Sequence, residues 1–186
     1  MSSSPQEPRI AGLEALLQHA AAQGNAPVER WDPPYCGDIG LAIRADGTWT
    51  YRGSPITRMP LVTLFSRVLR RDADGKTFLV TPTEKIDVHV ADAHFLAVEM
   101  EVRGTDRDQQ LIFRTNVDDV VTAAAEHPLS FKRAENDGLK PYLAVRGRLT
   151  ALVSRSVTYD LLERVTEHDG HTGLWSRGAF FPIPAG

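Results

Sequence analysis

Residues 57–68 read TRMPLVTLFSRV, and residues 154–165, 97 positions later, read SRSVTYDLLERV. Each stretch begins with a hydroxyl residue that can cap a helix, continues with Arg, and ends in Arg-Val. In both stretches apolar residues recur at the i, i+3, i+4, i+7 spacing of an amphipathic helix, although Thr158 weakens the first position of the second stretch. We therefore predict two short amphipathic helices that belong to two related half-domains.

The sequence around these helices is rich in short strand patterns. Ile39, Leu41 and Ile43 alternate with smaller or polar residues, and a longer alternation runs through residues 96–103. About ten such strands, mostly adjacent in sequence, against four helices predict antiparallel pairing. The predicted fold class is α+β: an internal duplication of two small, mostly antiparallel sheet-plus-helix domains. Their predicted bounds are residues 27–93 and 94–186, after an N-terminal tail and helix at residues 1–26.

The composition excludes several classes of protein. A net charge of −3 over 186 residues argues against a nucleic-acid scaffold, which needs a basic surface. No apolar run approaches the roughly 20 residues that span a bilayer, so no membrane span is expected. The single Cys36 excludes an internal disulfide. Residues 1–10 lack the pattern of a signal peptide, and the predicted location is the cytoplasm.

The common catalytic signatures are missing from the sequence. Gly75-Lys76-Thr77 resembles the end of a phosphate-binding loop, but Arg70 stands where that loop requires glycine. His168 and His171 flank a predicted turn, and no cysteine near them completes a zinc set. We therefore predict neither a metal site nor a bound cofactor, and we favour a protein that is not an enzyme.

Arg114, Thr115 and Asn116 form the best candidate for an anion site. If Asn116 caps a helix that ends at Pro128, then backbone N–H groups, the helix dipole and a guanidinium can together hold a phosphate or a carboxylate. The alternative is purely local. In that arrangement, the aspartates of the first turn satisfy the dipole and Arg114 pairs with one of them.

Two further arginines and two tryptophans are candidate ligand contacts. Arg58 and Arg155 occupy equivalent positions near the starts of the repeated helices, where a cation gains nothing from the dipole and can instead pair with a carboxylate or a ligand. Trp49 and Trp175 can form a stacking wall, although aromatic residues on strands more often belong to the core.

The remaining candidates lie in two polar segments. Cys36 and Asp38 place a thiol beside a carboxylate, which raises rather than lowers a thiol pKa, so a packed or redox-sensitive thiol competes with a ligand-contacting one. Thr81, Glu84 and Lys85 belong to a strand-to-strand connection that is either a solvated turn or a ligand-contacting loop.

Three segments make a recognisable set: WDPPYCGDI at residues 31–39, FRTN at 113–116 and WSRGAFFP at 175–182. Together they resemble the bacterial domain-of-unknown-function family 1285, and the similarity runs from about Pro27 to Pro182. The resemblance implies a duplicated two-domain body whose C-terminal half is loosely pleckstrin-homology-like. It also implies a role in signalling and a nucleotide-like ligand in the cleft between the domains. It supplies no catalytic residue.

Three hypotheses for the function follow. The leading one is a non-catalytic module that binds an anionic, nucleotide-like small molecule. The second is a hydrolase or transferase with carboxylates such as Asp38 and Glu84 as general base. The third is a protein-interaction module or homodimer that uses a sheet edge or the apolar stripe from Ile10 to Ala20.

Overall fold

The computed structural model of the chain describes residues 26–186. The helix predicted around Ile10 to Ala20 lies outside these described residues. The described residues form two compact units, one of residues 26–44 with Thr48–Ala91 and one of Ala45–Gly47 with Asp92–Gly186. Both units consist mostly of sheet, and each contains one α-helix among the described residues.

A six-stranded sheet and one helix make up the described part of the first unit. The strands are β1 (Tyr35–Ile43), β2 (Trp49–Tyr51), β3 (Ser54–Pro55), β4 (Leu69–Arg71), β5 (Thr77–Val80) and β6 (Lys85–Val90). Helix α1 (Met59–Arg67) connects β3 to β4, and a 3₁₀ turn at Val28–Arg30 precedes β1. The strand order is β3-β2-β1-β6-β5-β4. Neighbours are antiparallel except β1 and β6, which are parallel.

Helix α1 forms because its apolar residues share one face. Pro60 occupies the first turn, where its missing N–H is no loss. Leu61, Val62 and Phe65 are buried, and the ring of Phe65 lies 5.7 Å from that of Trp49. Trp49 is only 2% exposed, so it belongs to the core of the first unit and cannot offer a ring face to a ligand without unfolding.

The second unit contains a six-stranded sheet, a helix and a three-stranded sheet. The first sheet comprises β7 (Phe95–Arg103), β8 (Gln110–Thr115), β9 (Val120–Thr122), β10 (Leu129–Arg133), β11 (Leu139–Arg146) and β12 (Leu149–Val153). A 3₁₀ turn at Asp106–Asp108 connects β7 to β8, and helix α2 (Arg155–Leu162) follows β12. The second sheet comprises β13 (Thr166–His168), β14 (His171–Ser176) and β15 (Ala179–Pro182).

The six-stranded sheet of the second unit has the order β10-β11-β12-β7-β8-β9, with β12 and β7 parallel. If the strands of each sheet are numbered from 1 to 6 along the chain, the first sheet has the order 3-2-1-6-5-4, and the second has the same order when read from its β9 edge. The helices, however, occupy different places. Helix α1 follows the third strand of its sheet and α2 follows the sixth. Both helices predicted from the 97-residue repeat are therefore formed, but they occupy different positions relative to the strands of their sheets. The internal duplication stays a prediction.

The helix predicted after Asn116 is not formed. Thr115 to Asp119 make a turn in which Asp118 has φ 65°, and β9 then pairs with β8. The Oδ1 atom of Asn116 accepts a hydrogen bond from the N–H of Leu96 at 3.0 Å, and the Asn116 N–H donates to the carbonyl of Leu96 at 2.8 Å. Asn116 therefore joins two strands instead of capping a helix.

Strands β14 and β15 form a hairpin, with its turn at Arg177 and Gly178. Buried hydrogen bonds attach this hairpin to the larger sheet. Ser176, which is fully buried, accepts from the N–H of Leu111 at 3.0 Å and donates to the carbonyl of Ala123 at 2.6 Å. A single hydroxyl thereby satisfies one donor and one acceptor that have no access to water.

Candidate functional site

Cys36 and Asp38 lie on the exposed part of β1. The thiol of Cys36 donates to the carbonyl of Pro34 at 3.3 Å. Asp38 contacts His89 at 2.6 Å and accepts the N–H of Gly40 at 2.7 Å. The hydrogen bond with His89, followed by that from Gly40, lowers the pKa of the Asp38 carboxyl. Asp38 is therefore an ionised surface acid, which offers little as a general base.

Thr81, Glu84 and Lys85 build and follow a tight connection between β5 and β6. The hydroxyl of Thr81 is buried and accepts the N–H groups of Glu84 at 3.0 Å and of Thr83 at 3.3 Å. Lys85 lies 2.6 Å from Asp72 and 4.1 Å above the ring of Phe78. Thr81 and Lys85 thus stabilise the first unit itself.

A groove of about 540 Å³ crosses the first unit beside β6, and Lys85 is the one predicted site residue that lines it. Its charged lining consists of two lysines, Lys76 and Lys85, and two aspartates, Asp74 and Asp87. His89 also lines it. The phenol of Tyr35 donates a hydrogen bond to Asp87, so one oxygen of the Asp87 carboxylate is already bonded within the unit. Since the charges balance, this groove has no preference for an anion.

Arg114 is held between two carboxylates of the second unit. Its guanidinium lies 2.7 Å from Glu99 on β7 and 2.7 Å from Asp118 in the following turn. These hydrogen bonds raise the pKa of Arg114 further. The neighbouring Thr115 is fully buried, and its hydroxyl accepts the N–H of Asp119 at 3.1 Å. Arg114 thus pairs with an aspartate, as in the local alternative, but the turn of Thr115 to Asp119 stands in place of the helix whose dipole that alternative invoked.

The two arginines at helix starts differ in their surroundings. Arg58 is the residue before α1, and its carbonyl accepts the N–H of Leu61 at 3.0 Å. Arg155 is the first residue of α2 and is exposed. Its Nε donates to the phenol of Tyr159 at 3.2 Å, which raises the Arg155 pKa. No carboxylate among the described residues lies within ion-pair distance of Arg155.

Arg155 lines a groove of about 490 Å³ between α2 and the face of β11 and β12, which we call the helix groove. Leu139, Lys140 and Leu152 line it from the sheet. Arg155, Thr158, Tyr159 and Leu162 line it from the helix. Tyr159 is 58% exposed and Leu162 is 37% exposed, so the helix side offers an aromatic ring and an aliphatic side chain to solvent. None of the lining residues of the helix groove carries a carboxylate.

A second depression adjoins the helix groove at Lys140 and adds Lys132, Arg133, Glu135 and Tyr142. Lys132 and Lys140 are direct partners across β10 and β11, and like charges in such positions repel. Both ammonium groups also lie over the ring of Tyr142, at 5.0 Å and 5.8 Å. Asp92 pairs with Lys140 and accepts the phenol of Tyr142 at 2.7 Å. The three cations Lys132, Arg133 and Lys140 therefore stand against the two carboxylates Asp92 and Glu135, and one positive charge remains in excess.

Lys132, Lys140 and Tyr142 were not among the predicted site residues. Strand β11 begins at Leu139, three residues before Tyr142. With the hairpin extended to the Asp137-Gly138 turn, the two lysines become opposite neighbours. The signal was therefore present in the sequence, because Lys132 and Lys140 each lie four residues from Asn136 in the turn.

Trp175, the last predicted residue, is half-exposed on β14 and packs against His168 at 4.8 Å and Phe180 at 5.1 Å between ring centres. It does not line the helix groove. Within residues 26–186, no group of three or more His, Cys, Asp or Glu side chains is arranged to hold a metal ion. The same part of the chain contains no helix with the length and apolarity needed to cross a membrane.

Comparison with known proteins identifies the family. Residues 26–93 match the domain of unknown function DUF1285, N-terminal domain, and residues 94–183 match the protein of unknown function DUF1285, C-terminal domain. A crystal structure of a DUF1285 family protein from Silicibacter pomeroyi DSS-3 is similar with a TM-score of 0.86 and 42% identity, covering 92% of this chain and 93% of that one.

A second crystal structure, of a DUF1285 family protein from Shewanella baltica OS155, is similar with a TM-score of 0.53 and 26% identity. The match covers 67% of this chain and 91% of that one. No curated protein matches the chain. Both domains of the family follow each other along the sequence, and the Silicibacter protein is alike over nearly the whole chain. The chain therefore belongs to the DUF1285 family.

Proposed function

We propose that this chain is a non-catalytic binding module whose helix groove takes an anionic small molecule. One observation carries the proposal. Arg155 is exposed at the groove with no carboxylate partner among the described residues, while the groove itself has no acidic lining residue. An exposed guanidinium beside an apolar wall favours a ligand that combines negative charge with an apolar or aromatic part.

The geometry also fits the nucleotide-like ligand that the family resemblance implies. The groove volume of about 490 Å³ is within the usual range for small-molecule sites. The exposed ring of Tyr159 can stack on a base. Arg155 and the lysine pair of β10 and β11 can contact phosphate oxygens. The same proposal includes a role in signalling. It also includes a loosely pleckstrin-homology-like form of the second unit, which is supported by α2 because this helix follows the last strand of the six-stranded sheet.

Thermal unfolding against nucleotides, dinucleotides and phosphorylated metabolites tests the proposal. A ligand present at about 100 times its dissociation constant adds about 2.7 kcal/mol to the native state and raises the unfolding midpoint. Arg155→Ala should remove most of that shift, and Lys132→Ala should reduce it. Arg148→Ala, an exposed arginine in the turn between β11 and β12, is the matched control and should keep the full shift.

Arg114→Ala separates the helix groove from the site that the sequence predicted. A shift lost in Arg114→Ala but kept in Arg155→Ala would place the ligand at Arg114 and overturn the assignment to the helix groove. A panel that raises no midpoint would contradict the small-molecule function itself.

A protein-interaction module is the second candidate, and one observation favours it. Val120 is 67% exposed on β9, the edge strand of its sheet. Exposed edge strands can pair with a strand of another chain. If two copies pair through this edge, Val120→Lys should shift the protein from dimer to monomer in light scattering after size-exclusion chromatography. An unchanged mass would count against pairing at β9.

A further inference from the structure

A second groove of the second unit lies beside Trp175 and has a volume of about 450 Å³; we call it the tryptophan groove. Trp175, His168 and Phe180 pack their rings against one another at 4.8 to 5.2 Å between centres. Gly173 makes this packing possible, because a Cβ atom there would lie 2.6 Å from the ring of Phe180. The three rings form a wall with little freedom to move.

The face of Trp175 is already covered by a cation of the chain. The guanidinium of Arg107 lies 5.0 Å from the ring centre, in a cation–π contact. The backbone of Arg107 is fixed, because its carbonyl accepts the N–H of Gly178 at 3.1 Å. Its side chain has no ion pair with any described carboxylate. Among the described residues, the Trp175 ring is thus the one hydrogen-bond, ion-pair or cation–π partner of the guanidinium, and an exposed contact of this kind is weak.

Carboxylates line the same groove. Asp106, Glu163 and Glu167 contribute three negative charges, against the positive charges of Arg107 and Arg164. When Arg107 rotates away from Trp175, the open face is left with three carboxylates and one cation. An aromatic face surrounded by carboxylates favours a cation and disfavours an anion.

We propose that the tryptophan groove binds an arginine side chain of a partner protein, which displaces Arg107 from Trp175. A guanidinium is favoured over an ammonium because it is planar, stacks on an indole and can form paired hydrogen bonds with a carboxylate. Arg107 itself shows that the ring accepts this group. The tryptophan groove shares no lining residue with the helix groove, so this inference is independent of the proposed function.

The test is a titration of the full chain with N-acetyl-arginine amide, followed through the indole N–H signal of Trp175 in NMR spectra. Trp175→Phe assigns the signal. N-acetyl-citrulline amide, which has the same shape without the charge, is the ligand control. The arginine compound should move the signal and the citrulline compound should not.

Arg107→Ala should bind the arginine compound about two- to fivefold more tightly than the unaltered chain, since the ligand no longer has to displace the internal guanidinium. Arg103→Ala, which removes an exposed arginine elsewhere in the unit, should leave the affinity unchanged. Glu163→Gln and Glu167→Gln should each weaken binding. Equal affinity in Arg107→Ala and the unaltered chain, or equal binding of the citrulline compound, would overturn the inference.

A third arm identifies the source of the arginine. A short peptide with one central arginine should bind more tightly than free arginine, because a protein partner presents no free carboxylate to the acidic groove. Tighter binding of free arginine would make the occupant a small molecule and would refute a protein partner.

Discussion

Ser176 provides the sharpest test of how the second unit is held together. Its hydroxyl is fully buried, accepts the N–H of Leu111 at 3.0 Å and donates to the carbonyl of Ala123 at 2.6 Å. Ser176→Ala removes both bonds and leaves one buried donor and one buried acceptor without a partner. Each lost partner costs about 1–3 kcal/mol, and the carbonyl loses less because it has two lone pairs. We expect the free energy of unfolding to fall by about 2–4 kcal/mol.

The measurement is thermal unfolding by circular dichroism. For a chain of this size, about 2–4 kcal/mol corresponds to a midpoint lowered by about 4–16 °C. Ser154→Ala is the control, because the hydroxyl of Ser154 contacts only that of Ser156, at 3.4 Å on the surface. It should change the free energy of unfolding by no more than about 0.5 kcal/mol. If Ser176→Ala behaves like Ser154→Ala, the hairpin does not depend on this hydroxyl and the reasoning is wrong.

Two further substitutions test other contacts of the same unit. Gly173→Ala places a Cβ atom 2.4 Å from the carbonyl oxygen of Phe181 and should lower the free energy of unfolding by about 1–3 kcal/mol. Gly138→Ala, in the turn between β10 and β11, is the control and should lower it less. Equal thermal midpoints of the two variants would contradict this reasoning. Burial raises the pKa of Asp92, but the hydrogen bonds from Lys140 and Tyr142 outweigh it and lower that pKa. The ionised form of Asp92 therefore stabilises the fold above pH about 4. This contribution is lost as the pH falls through the lowered pKa. In urea titrations, Asp92→Asn should lower the free energy of unfolding by about 1 kcal/mol at pH 7 and by less at pH 3. The value at pH 7 is discounted because Lys140 is partly exposed. An equal loss of stability at both pH values would count against an ionised Asp92.

The candidate site shows what local patterns can and cannot deliver. Arg155 was predicted to lie at a helix start, and it is the first residue of α2, because a helix start is a local property; its role as a ligand contact stays a prediction. The anion site at Arg114 and Asn116 was predicted from an equally local pattern, a capping residue followed by aspartates. There the chain makes a turn instead, because the following residues pair with β8 as a strand. The pairing partner, and not the cap, decided the structure.

The sequence by itself determined the two α-helices of the described residues and most of the strands, but it also predicted a helix after Asn116 where the chain forms a turn and β9. The apolar spacing predicted helices over residues 57–68 and 154–165, and α1 and α2 lie within these ranges. These features depend on neighbours three or four residues apart, which share a helix face whatever the rest of the chain does. The family was also recognisable from three short segments, because each is a run of adjacent residues that can be recognised without the tertiary structure.

Only the tertiary structure decided the strand order and the two grooves of the second unit. The parallel contacts of β1 with β6 and of β12 with β7 join segments far apart in sequence, and no local pattern specifies them. The cation–π contact of Arg107 with Trp175 likewise spans 68 residues. Such pairings follow from the best joint burial of all apolar faces, so they are properties of the whole unit and not of any one segment.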